Sequence, residues 1–272
     1  MSMAAQRPIF NFERQVMRAS TITFRAGAVD YLANHYPHDA SVRILMFPDW
    51  EGCQTASSDR LARLYAQHCD AEVVVTDLYG AARRPADYGE VDCFISAALA
   101  DPLRTRSILK AITTALETTW KSNGPLIIVG FCFGGSLAFE AARAGIECMG
   151  AVSIHGQPNT KVPLTGSSAT AAFLMLQGSE DPFIRMDALY AFMTEMRNMK
   201  TDWSLYMLGN AKHSFTREDI GSGNMAVGYS LKADREAALA VQSFATRLLQ
   251  KQGFSVAPPA ILQPSSEQGQ IL

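Results

Sequence analysis

Three side chains of this 272-residue chain have the types and the order needed for nucleophilic acyl transfer. Cys132 lies in "GFCFGG" (130–135), between the apolar run "PLIIV" and the helical pattern "SLAFEAARAG". A sharp strand-to-helix turn with small neighbours lifts one side chain into a cleft, where a thiol can serve as a nucleophile. The competing reading of Cys132 is packing, because a free cysteine is a small, usually buried hydrophobe. Asp181, in "QGSEDPF", follows an apolar run and is the candidate acid that orients a base. Asp followed by Pro182 at a helix head is equally a good N-cap, and Asp187 and Glu180 stand nearby as weaker choices for the acid. His213, in "GNAKHSF", follows "WSLYML" and is the candidate base, against the plainer reading of a surface histidine. His155 ends the run "GAVSIH" and is expected in the core or the pocket wall. His35, His38 and His68 occur early, in helix-like or loop contexts.

These residues need rigid elements to bring them together. Short β-rich runs cover 43–47, 72–76, 125–130, 150–155, 172–177 and 203–208, with an edge strand expected over 20–27. Helical patterns cover 57–69, 103–121, 134–144, 183–199 and 232–250. Continuous apolar strands separated by helices predict an α/β fold, with a mostly parallel central sheet covered by helices on both faces. In such folds ligands bind outside the carboxyl ends of the strands. Cys132, Asp181 and His213 each follow a predicted strand, so one edge of the sheet collects all three. The segment 77–102, beginning "DLYGAARRPADYGE", reads as an irregular stretch over that same edge. The expected organisation is an N-terminal extension (1–22), one domain (23–250) and a poorly ordered Pro/Gln/Ser-rich tail (251–272).

Composition narrows the function further. The formal net charge is −2, which predicts no general pull toward nucleic acid or an anionic membrane. No apolar stretch approaches the ~18 residues of a membrane span, and the start "MSMAAQRPIFNFERQ" lacks an apolar leader core, so a cytoplasmic protein is expected. Cys53, Cys69, Cys93, Cys132 and Cys148 are odd in number and contain no C-x-x-C pair. That argues against a disulfide framework or a zinc site. No metal or cofactor is expected, and the partner expected for the acyl-transfer chemistry of Cys132, Asp181 and His213 is a small-molecule ester or lactone.

"GFCFGG", "GSEDP" and "AKHSF", with "MFPDWEG" and "TDLYG", resemble the dienelactone hydrolase family of α/β-hydrolases over about residues 23–250. Nucleophile, acid and histidine also follow one another in the chain order of that fold. The resemblance implies Cys132 as nucleophile, Asp181 as acid and His213 as base, with an oxyanion hole from the backbone N–H groups of Trp50 and Phe133. It implies that Asp49 contacts the resting nucleophile, where the dienelactone enzymes carry glutamate. It also implies a two-arginine grip on a substrate carboxylate. Arg217 matches one arginine directly, Arg83 or Arg84 stands near the other, and a surface pair of Arg217 with Glu218 or Asp219 is the alternative. The same residues leave room for a catalytically weak scaffold that binds a ligand, or for a redox-responsive thiol at Cys132.

Overall fold

The computed structural model describes residues 18–82, 84–165, 170–220 and 224–254. Among them eight strands form one sheet: β1 (Ser20–Ala26), β2 (Val29–Tyr36), β3 (Val42–Phe47), β4 (Ala71–Thr76), β5 (Leu126–Phe131), β6 (Gly150–Ile154), β7 (Ala172–Gly178) and β8 (Trp203–Leu208). Their order across the sheet is β1-β2-β4-β3-β5-β6-β7-β8. β2 runs antiparallel to β1 and to β4, and every pair from β4 to β8 is parallel. The helices are α1 (Ala56–Cys69), α2 (Tyr88–Ala100), α3 (Pro102–Leu116), α4 (Phe133–Arg143), α5 (Met186–Met199) and α6 (Leu231–Lys251).

Parallel strands buried on both faces read as unbroken apolar runs. Every residue of β4, β5, β6 and β7 is buried. One face packs on α1 and α6 through residues such as Leu61, Tyr65, Val241 and Phe244. The opposite face packs on α3, α4 and α5 through Leu109, Leu137, Phe139, Leu189 and Phe192. The sheet is thus the middle of three layers, and chemistry in such folds gathers at the carboxyl ends of its strands. Helix starts follow local rules: Thr55 caps α1 by accepting from the Ser58 N–H, and Asp101 caps α3 ahead of Pro102.

The structure differs from the sequence expectations in four places. β2 was not anticipated. "VDYLANHY" lacks clean alternation and is recruited by pairing with β1 through a two-residue turn at Gly27 and Ala28. His35 consequently lies on a strand, where its ring meets the buried Glu72 at 2.6 Å. The segment 77–102 is irregular only to Asp87. Asp87 then caps α2 by accepting from the Glu90 N–H. Helix α3 stops at Leu116, short of the predicted 121. Helix α5 starts at Met186 rather than 183, because residues 181–184 form a turn of their own. Residues 255–272, most of the anticipated tail, lie outside the described residues. No helix among the described residues is long and apolar enough to cross a membrane.

Candidate active site

Six loops leave the carboxyl edge of the sheet and carry the candidate residues: Asp49 and Trp50 after β3, Asp77 and Tyr79 after β4, Cys132 after β5, His155 after β6, Asp181 after β7 and His213 after β8. Cys132 occupies the hinge between β5 and α4 with φ 52 and ψ −119, a conformation costly for any residue with a side chain. Neighbouring backbone holds it there. A side chain at Gly130 would collide with the Gly134 carbonyl, and one at Gly134 would strike the carbonyls of Phe47 and Pro48. The glycines of "GFCFGG" therefore let three chain segments touch, and Cys132 is the one side chain raised above them.

The Cys132 sulfur lies 3.1 Å from Nε2 of His213, and Nδ1 of His213 lies 2.7 Å from Oδ2 of Asp181. Asp181 Oδ1 separately accepts the N–H groups of Phe183 (2.9 Å) and Ile184 (3.3 Å). The two sequence readings of Asp181 thus divide between its two oxygens, although the turn it closes precedes helix α5 rather than starting it. Burial alone would raise the Asp181 carboxyl, but the His213 ring, Gln177 and the Phe183 N–H draw it below the ordinary carboxylate value. Burial also opposes charge on His213. The Cys132 sulfur and Asp181 outweigh that penalty, and the imidazole is pushed up to about 10. The Phe183 ring packs edge-on to His213 at 5.0 Å and shields this pair.

Phe133 is the first residue of α4, so its N–H has no acceptor within the helix and points from the positive end of the helix dipole. Trp50 sits in the turn closed by Gly52 N–H donating to Asp49 O (3.1 Å), and Tyr79 OH donates to Trp50 O at 2.6 Å. A cleft of about 150 Å³ opens beside Trp50, walled by Tyr79, Arg84, Pro85 and Val91. The larger hollow, about 330 Å³, borders Asp181 but neither Cys132 nor His213. The smaller cleft borders neither of them either; it is tied to the thiol's turn through Phe94 of α2, which packs at a tilt on Tyr79 and edge-on to Phe133.

The arginines are placed differently from the residues of the hydrogen-bonded row. Arg217 is buried, and its guanidinium meets Asp49 (2.7 Å), Glu51 (3.0 Å) and Asp219. Asp49 therefore faces Arg217, and its other oxygen accepts the Glu51 N–H. Arg84 pairs with Asp77 at 2.6 Å over the Tyr79 ring. Neither guanidinium is held open toward a ligand, so the two-arginine grip has no preformed counterpart in this geometry. Arg83 lies outside the described residues. His155 is fully buried, with Nδ1 3.1 Å from the Cys132 amide nitrogen. Asp77, Tyr79, Gln177 and Thr216 are site residues that the sequence reading did not single out. "TDLYG" already carried the first two, but nothing in its spacing says what they touch.

The arrangement can present the Cys132 sulfur, hydrogen-bonded to His213, to an electrophilic centre. The sequence pattern of the dienelactone hydrolase family matches residues 31–249, which run from within β2 to within α6. A dienelactone hydrolase-like promiscuous phosphotriesterase from metagenomic libraries is 25% identical, superposes with a TM-score of 0.76, and is matched over 85% of this chain and 98% of its own. A protein designated m3DLH (24% identity, TM-score 0.75, 88% and 99% covered) has the same fold. So does dienelactone hydrolase from Anabaena variabilis (15%, 0.55, 86% and 97%). No curated protein sequence matches the chain. With the family pattern running from β2 to α6 and across all of the loops just described, the chain is a hydrolase that belongs to the dienelactone hydrolase family of α/β-hydrolases.

Proposed function

We propose that the protein hydrolyses a small carboxylic ester or lactone through a Cys132–His213–Asp181 triad and a thioester acyl-enzyme. The observation that carries this reading is the unbroken row from sulfur to imidazole to carboxylate, at 3.1 and 2.7 Å, set on a strained turn. The Cys132 sulfur attacks the carbonyl carbon with its proton already passed to Nε2 of His213, whose raised basicity holds it there. The carbonyl oxygen becomes an oxyanion, facing the N–H groups of Phe133 and Trp50, each worth roughly 2.7–4 kcal/mol if comparable to other oxyanion donors. Collapse breaks the C–O bond, and the leaving alkoxide receives the proton from His213. Water then attacks the thioester with His213 as base, releasing the acid and restoring the thiol. Asp181 holds the imidazole in one tautomer and stabilises its charged form throughout.

The surroundings of Arg217 support a neutral substrate. One guanidinium faces three carboxylates there, so the rim of the site carries excess negative charge. The small, partly aromatic cleft beside Trp50 supports a short acyl or alcohol group. The relative described as a phosphotriesterase adds an organophosphate triester to the substrates worth assaying, since the same nucleophile can attack phosphorus.

Mixing p-nitrophenyl acetate with the enzyme should give a burst of about one nitrophenolate per chain followed by turnover. Intact-mass analysis of the quenched burst should find acetyl on Cys132, and Cys132→Ala should lose both phases. Turnover that persists in Cys132→Ala, or acetyl on another residue, would overturn the assignment. A burst without turnover would support the binding-scaffold reading instead.

A further inference from the structure

Cys132 keeps its strained backbone because something holds its amide, and one of the two acceptors is a side chain. The Cys132 N–H is shared between Ile154 O (3.0 Å) and Nδ1 of His155 (3.1 Å). A backbone N–H can only donate, so Nδ1 must carry a lone pair, and the ring proton must sit on Nε2. Nε2 lies 3.0 Å from Thr216 Oγ1, which is also fully buried, three residues beyond His213. His155 itself has φ 42, so its own backbone is bent to aim the ring back at the elbow. A side chain at Gly156 would strike Cys132 O, which shows how tightly the end of β6 presses against the turn.

We propose that His155 is a positioning residue: as a neutral ring protonated on Nε2, it fixes the Cys132 amide and ties the nucleophile's turn to the loop that delivers His213. Its hydrogen bonds go to the Cys132 amide and to Thr216, not to the Cys132 sulfur. Its rings of contact are Phe215 at 4.9 Å, His213 at 5.2 Å and Phe131 at 6.2 Å, and it lies fully inside the protein. Burial, reinforced by the charge on His213, keeps His155 well below the ordinary histidine range, which preserves the acceptor at Nδ1. A protonated ring would set an N–H against an N–H and release the elbow. The inference rests on Cys132 being the nucleophile, but two of its three readouts need no turnover.

Asparagine and glutamine separate holding the amide from filling space. Asn places its carbonyl where Nδ1 lies and tolerates a positive φ, whereas Gln reaches toward Nε2 and leaves the Cys132 N–H with Ile154 alone. With rates corrected for folded fraction, His155→Gln should slow both kcat and iodoacetamide alkylation of Cys132 at least about tenfold, with KM unchanged, and His155→Asn should stay within about threefold of wild type. Long-range 1H–15N spectra of the wild-type protein should find the His155 proton on Nε2. Parallel losses in both variants that track stability would reduce His155 to packing, and a proton on Nδ1 would overturn the proposal outright. If alkylation and tautomer behave as stated while no ester is turned over, the hydrolase reading fails and the positioning role stands.

Discussion

Two arginine clusters in this molecule look alike on paper and do opposite things. Arg143 on α4 binds Glu140 (2.9 Å) and Glu195 (2.6 Å), and Arg106 on α3 binds Glu140 at 2.7 Å. Two cations meet two anions. The remaining valences go to backbone: Arg143 to Pro158 O, Arg106 to Val162 O, and Leu164 N–H to Glu195. All four side chains are 9% exposed or less. Arg217, by contrast, faces Asp49, Glu51 and Asp219, and the Asp219 side chain is 56% exposed. A matched, fully hydrogen-bonded set under the surface locks α3, α4, α5 and the segment after β6 into one body. An unmatched set at the carboxyl edge leaves charge over for solvent or substrate to answer. Charge balance and saturation, more than burial of the arginine itself, separate scaffold from site.

That contrast can be attacked from both sides. The largest effect belongs to the site. Asp181→Asn should lower kcat about 10²–10⁴-fold, because the imidazole loses its anionic partner and is free to take the wrong tautomer. Asn can still accept the Phe183 and Ile184 N–H groups, so stability should fall by no more than about 1 kcal/mol. Esterase kinetics beside urea unfolding of the same preparation will show whether rate and stability separate this way. A large loss of stability with the rate intact would return Asp181 to a purely structural role.

Arg143→Met should produce the mirror image. Removing this guanidinium leaves Glu195 buried with no cation and Glu140 with Arg106 alone, and breaking such a buried pair costs about 3–5 kcal/mol. The folded fraction should keep specific activity within about twofold, since the hydrogen bonds of the cluster go to its own side chains and to Pro158, Val162 and Leu164, not to Cys132, Asp181 or His213. Unfolding midpoints against activity per folded molecule make the measurement. A catalytic defect in well-folded enzyme would show that the cluster also positions the site.

The smallest effect concerns the substrate. If excess negative charge governs the rim around Arg217, a neutral ester should exceed a size-matched anionic hemi-ester in kcat/KM by about tenfold at low ionic strength, narrowing as salt is added. The reverse preference would mean that Arg217 leaves its carboxylates to grip the substrate, and the carboxylate-clamp expectation would return.

Much of the fold was legible because its causes are local. Apolar runs such as "RILMF" and "PLIIVG" can only be strands buried on both faces, and the helical patterns between them dictate parallel pairing. What escaped was structure with a distant cause: β2 depends on its neighbours in the sheet, and α2 is a cap and a short apolar pattern hidden in a polar stretch. In the site, "GFCFGG" announced the turn because the crowded hinge has no room for a side chain at Gly130, Gly134 or Gly135 beside one half-buried thiol. Asp181 was ambiguous in sequence because a carboxylate has two oxygens, and here each takes one of the competing roles.

By itself, the sequence determined the layered α/β architecture, the strained cysteine turn, and the chain order of thiol, acid and histidine, since sterics and periodicity act between near neighbours. Only the tertiary structure decided who binds whom. Cys132 meets His213 across 81 residues, His155 meets Thr216 across 61, and Arg217 meets Asp49 across 168. Charged and polar groups pair wherever folding brings them within about 3 Å, and no spacing along the chain encodes that choice. Whether Arg217 would be open to a substrate or already claimed by carboxylates was therefore settled by the folded sheet edge and not by the "HSFTR" that carries it.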